Sequence, residues 1–223
     1  MAKIEKRPTG EFSSYYGCYI IVMAALLFLG MIGWTFWSLF AQNRALDLIT
    51  QEEKTSLPAS VLDAAHASSL RDRLAGFGEC AKAGRPAELS LSVEEINHII
   101  CQAPDSGYGT YRDIVRVTGT EPGGNQLIAR LCMPLKRLKF WEGRFRYLAG
   151  EGTFKIEIHE EGLDAKLVDV KVPGKAVPRG FVGNLEIWPW VAPYRKQEPL
   201  GTILKGIKKA IVTPEGLKLS TTP

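Results

Sequence analysis

The sequence is poor in the residues on which catalysis and metal binding draw. It holds three histidines and four cysteines in 223 residues, and no HExxH, GxSxG, CxxC or Walker A pattern occurs in it. His159-Glu160-Glu161-Gly162 lacks the second histidine of a zinc-protease helix. A non-enzymatic role without a cofactor is therefore the expectation. No Asn-x-Ser/Thr acceptor is present, so nothing marks an N-glycosylated chain. Lys and Arg number 28 against 24 Asp and Glu. That excess is small and the charges are interspersed, which does not suit nucleic acid as a partner.

Charge is missing altogether from Tyr15 to Ala41, where Ile, Leu, Val, Met, Phe and Trp dominate. About 20 apolar residues in helical form cover a hydrocarbon core of about 30 Å, so this stretch reads as a membrane span. A cleaved signal peptide is the competing reading. Its apolar region runs about 7–15 residues and ends in small residues; this run is longer, and Leu39 and Phe40 stand beside the only small residues at its exit. Lys3, Lys6 and Arg7 precede the span, and Arg44 and Lys54 follow it, a bias that puts the N-terminus in the cytoplasm. Tyr15, Tyr16, Tyr19, Trp34 and Trp37 fall where interfacial anchors belong. The expected organisation is a cytoplasmic flank (1–14), a transmembrane helix (15–41), a juxtamembrane stalk (42–57) that prolongs the helix to a break near Ser56-Leu57-Pro58, and one extracytoplasmic domain (58–223). Cys80, Cys101 and Cys132 lie outside the span; at most one disulfide can form among them, and the sequence leaves the pair open.

Helical spacing of Val61, Leu62, Ala65, Ser69, Leu70, Leu74, Phe77 and Ala81 predicts an amphipathic helix from Pro58 to Gly84. A short strand, 87–91, leads into Ser92-Val93-Glu94-Glu95, a capping box that starts a helix with Ile96, Ile99, Ile100 and Ala103 on one face. From Thr110 the period becomes strand-like. Segments 111–118 and 125–134 flank Glu121-Pro122-Gly123-Gly124 as a hairpin, 144–160 is a long strand in which Gly150 and Gly152 suggest a bulge or sharp bend, and 163–172 follows the Glu161-Gly162 turn. The shift from Leu163, Ala165 and Leu167 to Val168, Val170 and Val172 implies a further irregularity. The fold class is α+β: a bent antiparallel four-stranded meander packed on helices. An aromatic, proline-broken segment (181–194), a helix opened by Glu198-Pro199 and a last hairpin turning at Pro214-Glu215-Gly216 complete the chain.

Three constellations bear on function. Glu94, His98 and Cys101 share one face of the capped helix and are plausible metal ligands, but the simpler account is an exposed polar face with a half-buried cysteine, and no metal is expected. The run from Lys136 to Tyr147 interleaves cations with aromatics, and Lys136, Arg137, Lys139, Trp141, Arg144 and Arg146 are candidate contacts with a membrane surface. An ordinary half-buried strand is the alternative. Trp188 and Trp190 either line the mouth of an apolar pocket or fill the core.

Leu89-Ser90-Leu91-Ser92-Val93-Glu94-Glu95-Ile96-Asn97 resembles the strand and helix start of small bacterial envelope domains, membrane-anchored or lipidated, with tubular lipid-binding (TULIP-like) relatives among them. Val172-Pro173-Gly174-Lys175-Ala176-Val177-Pro178 and Val212-Thr213-Pro214-Glu215-Gly216-Leu217-Lys218-Leu219 are similar to later parts of the same pattern, which spans Ala87 to Ser220. The resemblance implies a sheet curled around a helix with a groove able to hold an acyl chain. On that basis the domain is expected to bind lipid or another apolar ligand, with Ile96, Ile100, Phe181, Trp188 and Trp190 at the groove. The alternative is a structural or interaction subunit of an envelope complex, with envelope proteins as partners.

Overall fold

The computed structural model of the chain describes residues 14–60, 62–102, 111–136 and 145–222. It divides into two compact units between Arg44 and Ala45. The first consists of most of α1 (Ser14–Ile49), the one helix among the described residues long and apolar enough to cross a membrane. Its large side chains stand exposed from Tyr15 to Phe40, Trp34 and Trp37 at 73% each. Its one hydroxyl near the middle, Thr35, donates to the Met31 carbonyl four residues back, so that polar group is satisfied inside the helix.

The second unit is α+β, with antiparallel sheets packed on helices. In chain order it contains α2 (Ala64–Lys82), β1 (Glu88–Ser92), α3 (Val93–Cys101), a 3-10 turn (Tyr111–Asp113), β2 (Val115–Glu121), β3 (Gln126–Lys136), β4 (Phe145–His159), β5 (Gly162–Lys171), α4 (Arg179–Glu186), α5 (Ala192–Arg195), α6 (Leu200–Gly206), β6 (Lys209–Thr213) and β7 (Gly216–Ser220). Strands β2-β3-β4-β5 form the expected antiparallel meander. A second sheet, in the order β1-β7-β6, was not foreseen; it joins the short strand before α3 to the final hairpin.

The segment expected as a stalk is part of this second unit from Ala45 onward. The helix stops at Ile49 instead of continuing to Ser56. Ile49 is 2% exposed, and Gln51 exchanges two backbone hydrogen bonds with Tyr147 on β4, at 2.9 and 2.8 Å. A helix cannot continue where its backbone has been recruited to a sheet edge. The start of α2 is also later than periodicity suggested. Asp63 is extended and its carboxylate accepts from the His66 amide at 2.7 Å, fixing the N-cap there, while the Pro58 carbonyl upstream is engaged by Arg116. The capping box of α3 is present as expected, with Glu95 N–H donating to the Ser92 hydroxyl and Ser92 N–H to the Glu95 carboxylate.

The parity shift in β5 is a bulge. Thr153 pairs with Asp169 and Phe154 with Leu167, leaving Val168 as the extra residue. Gly150 and Gly152, read as marking a bulge or sharp bend, pair in regular register with Leu131 and Ala129 on β3, and the irregularity lies next to them, in the pairing of β4 with β5. Their role is close approach: a Cβ on Gly152 would lie 2.5 Å from the Leu131 side chain. Gly162, at φ +101°, makes the turn between β4 and β5, and a Cβ there would run into the Leu204 carbonyl of α6.

Two asparagines tie the layers together. Asn125, in the left-handed conformation after β2, donates to the Ile156 carbonyl on β4 and accepts from the Val212 amide on β6, both at 2.8 Å, which links the two sheets. Asn97 on α3 is buried; its amide donates to the Val117 carbonyl and accepts from the Val117 amide, again at 2.8 Å each. One side chain thus takes the place of a neighbouring strand at that point of β2. The core lies between the sheets and under α2, α3 and α6, centred on Leu131, Leu148, Leu167, Ile203, Ile207 and Val212.

Candidate apolar cavity

Packing α3 against β1, β2 and β7, while α2 packs on α6, leaves a space among these elements. It is a cavity of about 190 Å³ lined by the inward faces of both sheets and by α2, α3, α5 and α6. Alternation along the strands selects the lining: Val115 and Val117 from β2, Phe154 and Ile156 from β4, Leu163 and Ala165 from β5, Leu217 and Leu219 from β7. Half-buried Leu74, Ile99, Ile100, Leu200 and Leu204 form its helical side.

One wall is aromatic. Tyr111 stacks on Tyr194 with ring centroids 5.8 Å apart, Trp190 lies 5.8 Å from Tyr111, and Phe154 meets Trp190 edge-on at 5.2 Å. The polar atoms of this wall already have partners. The Trp190 indole N–H donates to the Leu185 carbonyl, the Tyr194 hydroxyl donates to the Ile100 carbonyl at 3.2 Å, and the Tyr111 hydroxyl is hydrogen-bonded to Trp188. Burial pushes both phenols above their ordinary pKa, Tyr194 strongly, so both remain neutral. A ligand in this space meets almost only hydrocarbon and ring faces. Such a site selects by shape and apolar area alone.

Size narrows the choice. An apolar cavity of about 150 Å³ stays dry and accepts benzene, whereas pockets for drug-sized ligands run about 300–1,000 Å³. The space fits a ring or a short stretch of chain, and it is too small for a whole long acyl chain.

Of the residues expected at the groove, Ile96, Ile100 and Trp190 line the cavity. Phe181 and Trp188 do not line it; each is half-buried and packed against the core, and Trp188 is hydrogen-bonded to Tyr111 of the aromatic wall. Sequence reasoning missed Tyr111, Phe154 and Tyr194. Phe154 could have been found from its alternation with Ile156 and Ile158, but the two tyrosines come together only through the tertiary fold.

Among the proposed membrane-surface contacts, Arg137, Lys139, Trp141 and Arg144 lie outside the described residues. Lys136 is exposed at the end of β3. Arg146 does not stand at a surface: it is 1% exposed and donates to the Asp47 carboxylate at 2.8 Å. Alternation places it on the inward side of β4, where it meets the last turns of α1. Of Glu94, His98 and Cys101, the last two line one polar pocket and Glu94 does not. Glu94 is exposed, His98 lies 2.8 Å from the Gln102 amide, and Cys101 accepts from Arg116. Among the described residues no group of three His, Cys, Asp or Glu side chains is arranged to hold a metal ion, and the four cysteines are free.

Compared with protein-family models, curated proteins and solved structures, the chain matches none.

Proposed function

We propose that this chain is a single-span, membrane-anchored envelope protein whose α+β domain takes an apolar group into the cavity between its sheets and α2, α3 and α6. The observation that carries this reading is the cavity itself: space for a ring or short chain, lined almost wholly by hydrocarbon, with the polar atoms of its aromatic wall already bonded. A well-packed core seldom leaves a void of that size, because each lining group forfeits contact energy.

The anchor reading draws on α1, whose exposed apolar surface is costly in water and favourable in lipid. The basic flank at Lys3, Lys6 and Arg7 supports a cytoplasmic N-terminus and an extracytoplasmic domain. The envelope-domain resemblance agrees with a lipid-derived ligand, and the volume restricts it to part of an acyl chain or a compact apolar molecule.

Native mass spectrometry of the full-length protein released from neutral detergent tests the binding claim. A non-covalent apolar adduct is expected on the wild type and is lost in Ala165→Phe, which fills the cavity from β5. The same adduct on both proteins, or on neither, would count against the proposal. Alkaline phosphatase fused after Pro223 tests the topology: activity is expected, and a stable inactive fusion reverses the orientation.

A further inference from the structure

A second space, of about 630 Å³, opens on the other side of α3 and β2 and has the opposite chemistry. It is bounded by the extended segment around Pro58, the C-terminal end of α3 and the 3-10 turn that precedes β2. At its base is Arg116, only 6% exposed. The guanidinium donates from Nε to the Pro58 carbonyl at 2.8 Å, from Nη1 to Cys101 Sγ at 2.7 Å and from Nη2 to the Arg112 carbonyl at 3.3 Å. None of these partners is a carboxylate, and among the described residues no acidic side chain pairs with Arg116.

A buried cation to which the described residues give no counter-charge is an expensive arrangement. Among the described lining residues the one carboxylate, Asp113, is already committed to Lys54 at 2.9 Å. Arg112, exposed at the rim, adds a third permanent cation, so among the described residues the pocket carries Lys54, Arg112 and Arg116 against a single acid. Three of the five guanidinium N–H donors of Arg116 are used by the bonds above, which leaves two. The excess of two positive charges matches a phosphate dianion; a carboxylate would neutralise only half of it.

We infer that the pocket over Arg116 binds a phosphate group, with Arg116 at its base and Arg112 and Lys54 at its rim. The group is either a free phosphate or the head of an anionic phospholipid; both present the same oxyanion to the same donors.

Cys101 reports on occupancy because its partly exposed thiol lines the pocket beside Arg116. The full-length protein in neutral maltoside detergent is treated with iodoacetamide, and the Cys101 peptide is quantified by mass spectrometry. One arm adds inorganic phosphate, a second adds dioctanoyl phosphatidic acid, and a third adds acetate as the control. Saturable protection of Cys101, by fivefold or more in rate, is expected in the first or second arm. Protection by inorganic phosphate assigns a free phosphate, and protection by phosphatidic acid alone assigns a headgroup. Arg112→Ala, at an exposed position that leaves the core intact, should raise the half-saturating concentration about tenfold, as loss of a charge-assisted hydrogen bond does. Absence of protection in both phosphate arms, equal protection by acetate, or an unchanged midpoint in Arg112→Ala would each overturn the assignment.

Discussion

The two chambers beside β2 share their walls and differ in what those walls leave unspent. Val115 and Val117 line the apolar cavity, and Arg116 between them lines the cationic pocket. Helix α3 repeats the division, with Ile99 and Ile100 on one side and His98 and Cys101 on the other. In the aromatic wall of the first chamber the donors and acceptors have found partners; in the second a guanidinium keeps donors in hand. One strand of period two and one short amphipathic helix are thus enough to set hydrocarbon chemistry and oxyanion chemistry a residue apart.

The comparison can be broken from either side. Phe154→Ala should have the largest effect, because Phe154 is 6% exposed and meets Trp190 edge-on. Its loss enlarges the apolar cavity and costs about 3–5 kcal/mol. Denaturant unfolding of the full-length protein measures this, and phosphate protection of Cys101 should persist under folding conditions. Asn97→Ala attacks the partition between the chambers. It leaves both the amide and the carbonyl of Val117 without their partner, at a cost of about 2–4 kcal/mol. Because α3 carries residues of both chambers, this variant should also speed alkylation of Cys101.

Two smaller effects sharpen the contrast. Ser92→Ala removes the cap that starts α3 and should cost about 1 kcal/mol. Glu157, by alternation with Ile156, faces away from the cavity; hydrogen bonds from Lys166 and then Lys155 hold its pKa at about 2. Unfolded, the carboxyl takes up its proton at higher pH, so the stability it contributes is present above about pH 4.5 and is lost as pH falls toward 2. Glu157→Gln should flatten the acid limb over that interval by less than about 1 kcal/mol and leave both chambers unchanged.

Local chemistry was legible in the sequence, and non-local pairing was not. The capping box at Ser92, the turn at Pro214-Glu215-Gly216 and the bulge signalled by Val168 each depend on neighbours within a few residues, and each is found in place. The pairing of β1 with β7 joins Glu88 to Ser220, and no local pattern announces it. The same limit hid the sites. Ile96, Ile100 and Trp190 were identified from apolar character, but Tyr111 and Tyr194 enter the wall from distant segments. Arg116 gave the ordinary alternation of a strand with one wet face. What singles it out is burial by α3 and by the segment at Pro58, both of which come from elsewhere in the chain. Arg146 misled for a related reason: its cation-aromatic neighbourhood suggested a surface, and the fold spends it on Asp47.

The central claim is that the space lined by Val117, Phe154 and Trp190 is a binding chamber and not a packing defect. The most direct measurement is the unfolding temperature of the full-length protein in nanodiscs as apolar compounds from benzene to a sixteen-carbon fatty acid are added, for the wild type and for Ala165→Phe. A ring-sized ligand at ten times its dissociation constant adds about 1.4 kcal/mol, equivalent to a rise of about 3–6 °C for a chain of this size. The account predicts that rise for compounds of ring to short-chain size in the wild type, none in Ala165→Phe, and no further gain for the longest acid. An unchanged temperature with every compound, or a rise that survives Ala165→Phe, would contradict it.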